Sequence, residues 1–187
     1  MKKITKGNKG YIDNLKKRDI CFILINVLIA VIIFVAGMLI WENKANVFTI
    51  FAVCSLLPGC KRVVNLIMIF PFKGISNEDY TMIKEKINVE NEIKTYSDML
   101  FATEKCFLLF KHVVLTDSKL IAFSQMTKDK NDFADEYLNR GFQIRGIDVK
   151  VSVYSNLTDY IRVAENAIEN GSEPSEEIKG YLESLFV

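Results

Sequence analysis

Two long apolar stretches joined by a few polar residues fill positions 20–72, and a chain patterned in this way suits a lipid solvent before it suits water. The first, ICFILINVLIAVIIFVAGMLIW, is 22 residues from Ile20 to Trp41, with Asn26 as its one strongly polar member. At about 1.5 Å per residue a helix of this length covers roughly 33 Å, enough for a hydrocarbon core of about 30 Å. The second starts near Asn46, runs through VFTIFAVCSLLPGC and continues as KRVVNLIMIFPF to Phe72. Residues 42–45 leave room only for a tight reversal, so an antiparallel transmembrane hairpin is expected, with spans at 20–41 and 46–72. A secretory signal would have an apolar region of about 7–15 residues and then a small-residue cleavage site. The run here is longer and leads straight into a second span.

Charge sets the expected orientation. Residues 1–19 carry seven cations against Asp13 and Asp19, a net +5, whereas Lys44 and Glu42 cancel in the turn. Lys61, Arg62 and Lys73 follow on the second stretch. Cations near helix ends are retained on the cytoplasmic side. The expectation is a multi-pass protein of the cell membrane, with both termini cytoplasmic and an extracellular turn. Trp41, Lys61, Arg62 and Lys73 are then interfacial anchors, the cations reaching anionic headgroups by snorkelling. From Asn46 to Cys60 a helix covers only about 22 Å. It either continues past Lys61 and Arg62 or tilts and ends near them, leaving 63–72 along the inner interface. Ala30 and Gly37 on one stretch, and Ala52, Ser55 and Gly59 on the other, form small-residue stripes of the kind that lets membrane helices approach closely. Packing within the hairpin explains them, and homo-oligomerisation through the same stripes is the alternative.

Composition changes after residue 76. Residues 77–187 carry 13 basic and 20 acidic residues, a net −7, against +8 for residues 1–76. An acidic domain is a poor binder of nucleic acid, whose phosphates demand Lys and Arg. Its 111 residues suffice for one core. Cys21, Cys54, Cys60 and Cys106 show no paired spacing, and His112 is the single histidine. Neither a zinc site nor a disulfide framework is indicated.

The elements of this cytosolic domain follow from periodicity. Ser76 and Asn77 open a helix with Tyr80, Ile83 and Ile87 on one face. Residues 93–102, 106–115 and 119–124 are rich in β-branched and aromatic residues and read as strands, the last two joined at Asp117 and Ser118. A helix is expected from Asp129 to Arg140, with Phe133 and Tyr137 on one face and Gly141 as its stop. Ile147, Val149, Val151 and Val153 alternate with polar residues as a one-sided strand. Helices capped at Asn156 and Ser175 close the chain. The fold class is therefore α+β, a transmembrane hairpin followed by an α-β-β-β-α-β-α-α domain with a mainly antiparallel sheet.

This succession resembles the restriction-endonuclease-like core, which implies an acidic residue and an acidic-x-Lys triplet on adjacent strands holding Mg²⁺. Lys119 to Ser124 has no such triplet, and Asp148-Val149-Lys150 falls on the wrong strand. His112 lacks a nucleophile context, and Cys106 reads as a small buried hydrophobe. Carboxylates at 129–136 and 173–177 read as helix N-terminal charge. No phosphate-loop, dinucleotide or nucleophile-elbow motif is present. No catalytic, cofactor-binding or metal-binding residue is assigned. The opening MKKITKGNKGYID, the hairpin, FPFK at 70–73 and the α/β tail together resemble uncharacterised small two-span membrane proteins of low-GC Gram-positive bacteria, a likeness that implies topology without an activity.

The leading expectation is an integral membrane protein tethering a small interaction or regulatory domain, with anionic lipid and a protein as its partners and no catalysis evident. A transport or channel component, resting on Asn26, Lys61, Arg62 and Asn65, is one alternative. A hydrolase on a restriction-endonuclease-like fold without recognisable catalytic residues is the other.

Overall fold

The apolar run beginning at Ile20 does not start its own helix. In the computed structural model, which describes residues 6–41, 47–87 and 93–186, helix α1 spans Tyr11–Trp41 and takes in much of the basic segment. Helix α2 spans Val47–Ile69. It continues past Pro58, Lys61 and Arg62 instead of ending near Cys60. Both helices are long and apolar enough to cross a membrane. The expected turn at 42–45 lies outside the described residues.

The chain divides into two compact units, one of Ile12–Lys73 and one of Met1–Tyr11 with Gly74–Val187. Within the first, the residues buried along the apolar stretches are mostly small, Ala30, Gly37, Ala52 and Gly59, while Ile12, Leu15 and Asp19 early in α1 and Ile69 at the end of α2 are buried as well. A Cβ at Gly59 would lie 2.7 Å from Asn26 Oδ1, so only glycine lets the amide of α1 approach α2 there. Leu24, Leu28, Ile32, Leu39, Ile50, Leu57 and Ile67 are each more than half exposed.

The second unit is built on one four-stranded sheet in the order β1 (Lys94–Ala102), β2 (Phe107–Leu115), β3 (Lys119–Phe123), β4 (Lys150–Tyr154). β1 and β2, and β2 and β3, pair antiparallel, whereas β4 joins β3 parallel. The sheet is therefore mixed: mainly antiparallel, as expected, with one parallel pairing at its last strand. Parallel neighbours need a long crossover, and α4 (Lys128–Ile144) supplies it. The turn between β2 and β3 closes where Thr116 N–H donates to the Lys119 carbonyl (2.9 Å).

Helices cover both faces. Leu138, Phe142, Ile178 and Leu182, from α4 and α6 (Glu176–Ser184), pack on Leu108, Phe110, Val113 and Leu120. Ile83, Tyr160, Ala164 and Ile168, from α3 (Asn77–Lys86) and α5 (Leu157–Asn170), pack on Val114, Ile121 and Phe123. Three helices start where short polar side chains take up orphan N–H groups. Ser76 Oγ accepts from Asp79 N–H (3.0 Å), Asn156 Oδ1 from Thr158 N–H (3.0 Å) and Ser175 Oγ from Ile178 N–H (3.4 Å).

Two expected boundaries shift. Gly141 does not stop α4, which runs on to Ile144. A Cβ at 141 would collide with the Tyr181 hydroxyl, so this glycine serves a close approach between helices and not a helix end. β4 begins at Lys150, because residues 142–149 are taken up in the helix end and a turn in which Ile147 N–H donates to the Phe142 carbonyl (3.0 Å).

Asp98 is the irregular point of the sheet. Its φ is +53°, a region that L-residues other than Asn and Asp seldom enter. The inward alternation slips by one residue there and at the facing Lys111. Tyr96 and then Met99 and Phe101 share one face of β1, as Val113 and Leu115 and then Phe110 and Leu108 do on β2.

Candidate functional site

The residues expected to act at the membrane separate into distinct environments. Trp41 is the last residue of α1, and its side chain lies outside the described part. Lys61 is exposed on α2, and Lys73 is exposed in the connection after it. Arg62 is not a free cation: its guanidinium lies 3.3 Å from the Asp19 carboxylate and 5.3 Å from the Phe22 ring centroid. The Asp19 side chain is only 3% exposed, and breaking a pair so shielded would leave one partner buried and uncompensated. Lys16 Nζ donates to the carbonyls of Phe70 (3.0 Å) and Phe72 (2.6 Å). It therefore satisfies acceptors left over beyond the end of α2 and sits at the negative end of the helix dipole. Asn26 Oδ1 is buried with no hydrogen-bond partner among the described residues. Asn65 is half-buried on α2.

In the sheet unit, one carboxylate gathers backbone from two distant places. Asp98 is 1% exposed and accepts from Gly10 N–H (2.6 Å) and from Ile75 N–H (2.7 Å). Next to it, Ser97 N–H donates to the Gly7 carbonyl (2.6 Å). Residues 6–10 thus belong to the sheet unit, along its β1 edge, which the separation of 1–19 from 77–187 did not foresee. Gly7 and Gly10 both have φ of +81°, and a Cβ at Gly74 would meet the Asp98 carboxylate at 2.8 Å.

His112 is buried in β2 with Nδ1 2.6 Å from the Tyr160 hydroxyl. Burial lowers the imidazole pKa from 6.5 to about 4 and pushes the Tyr160 phenol up. A neutral ring that accepts the phenol proton in a hydrogen bond fits those directions. With no nucleophile beside it, the pair is core. Cys106 lies in the β1–β2 turn just before β2, where its N–H donates to Thr103 Oγ1 (3.1 Å). The four cysteines are free thiols. β2 and β3 carry no carboxylate, and Asp148 precedes β4, so the structure does not assemble the nuclease constellation. Among the described residues no three His, Cys, Asp or Glu side chains converge to hold a metal.

A concave feature of the sheet unit lies elsewhere. The β1–β2 turn brings Glu104 and Lys105 against Phe133, Tyr137, Arg140, Gly141 and Ile144 of α4 and Tyr181 of α6, around a cavity of about 500 Å³. That volume falls within the range of about 300–1,000 Å³ usual for small-molecule sites. Phe133 and Tyr137 stack with centroids 5.8 Å apart at 30°. Lys105 Nζ sits 5.4 Å from the Phe133 centroid. The Arg145 guanidinium covers the Tyr181 ring at 4.1 Å, and that ring meets Phe142 edge-on at 5.0 Å and 87°. Burial raises the Tyr181 phenol pKa, while Arg145 pulls it the other way.

None of these residues was expected to line a site: Phe133 and Tyr137 read as one face of a helix and Gly141 as its stop. The signal was the spacing 133, 137, 140, 144 on one helix face, which resembled a core stripe. The structure leaves Tyr137 and Ile144 exposed at 37% and 76%, while Ala134, Leu138 and Phe142 make the buried face of α4.

No family model, no curated protein and no solved structure matches this chain.

Proposed function

We propose that α1 and α2 form a membrane-spanning antiparallel hairpin that holds the sheet unit, as an interaction or regulatory module without catalysis, at the inner face of the cell membrane. The carrying observation is the exposure of large apolar side chains along the whole of both helices, from Ile20 to Ile40 and from Val47 to Met68. A core helix of a soluble protein hides such residues, and an apolar surface of this extent and length supports contact with lipid. Beyond residue 74, Met82, Tyr137 and Ile144 are the only large apolar side chains so exposed among the described residues. That contrast supports water as the solvent of the second unit. The excess of cations in the first nineteen residues favours a cytoplasmic N-terminus, and two spans return the C-terminus to the same side. Pairing of Arg62 with Asp19 favours a tether over a conduit, because it removes one of the two neighbouring cations that a conduit for anions would use.

Single cysteines test the topology in a background with Cys21, Cys54, Cys60 and Cys106 replaced by serine. Asn43→Cys should react with a membrane-impermeant maleimide in intact cells. Ser172→Cys should react only after lysis. Labelling of Ser172→Cys in intact cells would overturn the orientation, and recovery of the chain in the soluble fraction would overturn the tether itself.

A further inference from the structure

We propose that the groove between the β1–β2 turn, α4 and α6 binds a small anionic ligand bearing a planar ring, of the nucleoside-monophosphate class. The domain as a whole repels anions, with 20 acidic against 13 basic residues over 77–187. At this groove the balance reverses: Lys105, Arg140 and the adjacent Arg145 face a single lining carboxylate, Glu104. Local reversal of charge in a concave site concentrates anions, and lysine with a forked guanidinium is the donor set that phosphate oxygens use best. Three cations match a monophosphate and fall short of a triphosphate.

The rest of the wall selects for a ring. Tyr137 is the outer member of the Phe133–Tyr137 stack, and Ile144 stands out beside it on the same helix face. A heterocycle laid on Tyr137 would stack as bases do on aromatic platforms, with Ile144 against its edge. Glu104 is then the acceptor for sugar hydroxyls, since a carboxylate takes hydroxyl protons well. Gly141 keeps the floor open to the Tyr181 hydroxyl, because any side chain at 141 would meet it.

This inference rests on reading the sheet unit as an interaction module, but not on membrane topology, so cysteine labelling and ligand binding fail independently. The test is calorimetric titration of the full chain in detergent micelles with AMP, and with adenosine and inorganic phosphate as its separated halves. AMP should bind saturably, one per chain, with a Kd of about 1 mM or tighter, and each half at least about tenfold more weakly. Lys105→Gln and Arg140→Gln should each weaken AMP by about tenfold. Tyr137→Ala should weaken AMP and adenosine while leaving phosphate unchanged. These three side chains are exposed, so the variants keep the fold. Arg162→Gln, a cation on α5 paired with Asp159 at 3.5 Å, is the control and should bind AMP as the parent chain does. The proposal is overturned if AMP shows no saturable binding up to about 10 mM, if the groove variants bind it normally, or if phosphate alone binds as tightly as AMP.

Discussion

The two units use the same apolar residue types in opposite ways. In the helical unit Leu28 and Ile50 are 59% and 65% exposed, while alanine, glycine and a paired carboxylate are hidden. In the sheet unit Leu108, Phe110, Leu120 and Phe142 have no exposed surface, and most charged residues lie outside. Hydrophobic burial drives the second arrangement. On the proposal that α1 and α2 span a membrane it does not drive the first, because lipid tails are as apolar as leucine and such helices are held by close backbone approach and a few polar ties. Mean apolar content says little about which solvent a segment is built for, whereas the size of its buried residues says much.

That contrast sharpens under truncation. Phe110→Ala should cost the sheet unit about 3–5 kcal/mol, from lost burial and the cavity left behind. Leu28→Ala, an equally apolar truncation on α1, should leave the stability of either unit within about 0.5 kcal/mol in micelles. Amide hydrogen exchange of β2 and β3 for the sheet unit, and of α1 and α2 for the helical one, read by mass spectrometry, measures both. Equal losses would erase the distinction between the units.

Acid should act on one unit more than the other. The folded imidazole of His112 titrates near 4, whereas an unfolded one titrates near 6.5. Between those values the unfolded chain takes a proton that the folded chain refuses, so stability falls as pH drops through the window and is flat above it. The loss by pH 4 is about 3 kcal/mol. His112→Gln, which can still accept from Tyr160, should flatten the slope, and exchange rates of β2 at pH 4.5 and 7.5 provide the comparison. An unchanged slope in the variant would assign it to carboxylates instead.

The smallest of these effects concerns the strap of residues 6–10. Asp98→Ala leaves two N–H groups unsatisfied in a buried site and should cost about 2 kcal/mol. The loss should be concentrated at β1 and residues 6–10, with faster tryptic cleavage at Lys6 and Lys9. Asp98→Gly, which accepts the positive φ, should behave the same, because the missing carboxylate and not the backbone angle decides the outcome. Unaltered cleavage would show that the strap is held by other contacts.

Local signals in the sequence carried the parts of this fold that depend on nearest neighbours. Ser76, Asn156 and Ser175 announced their helices, and Asp117-Ser118 announced its turn, because caps and turns are satisfied within a few residues. Gly141 was misread because a glycine after an apolar-periodic stretch looks the same whether it ends a helix or admits Tyr181, forty residues later. Asp98 was invisible for a related reason. Its partners, Gly10 and Ile75, are 88 and 23 residues away, and the slipped alternation it causes on β1 and β2 hides the two-residue period. The groove escaped because Phe133 and Tyr137 at helical spacing are compatible with either face of α4, and only the packed helix shows that 134, 138 and 142 took the core.

Both borders of the sheet are partly occupied by the chain itself. On β4, the Asn139 amide donates to the Val151 carbonyl (3.2 Å) and accepts from its N–H (2.8 Å), standing in for a fifth strand. On β1, Gly7 takes the Ser97 N–H and Phe186 bridges to Phe101. An open border is a template for aggregation, and the hazard grows when many copies share a two-dimensional surface, where encounters are frequent and orientations are restricted. Blocked borders let such a protein be crowded without polymerising. They also disfavour a partner that joins by strand addition, and favour one that reads side chains.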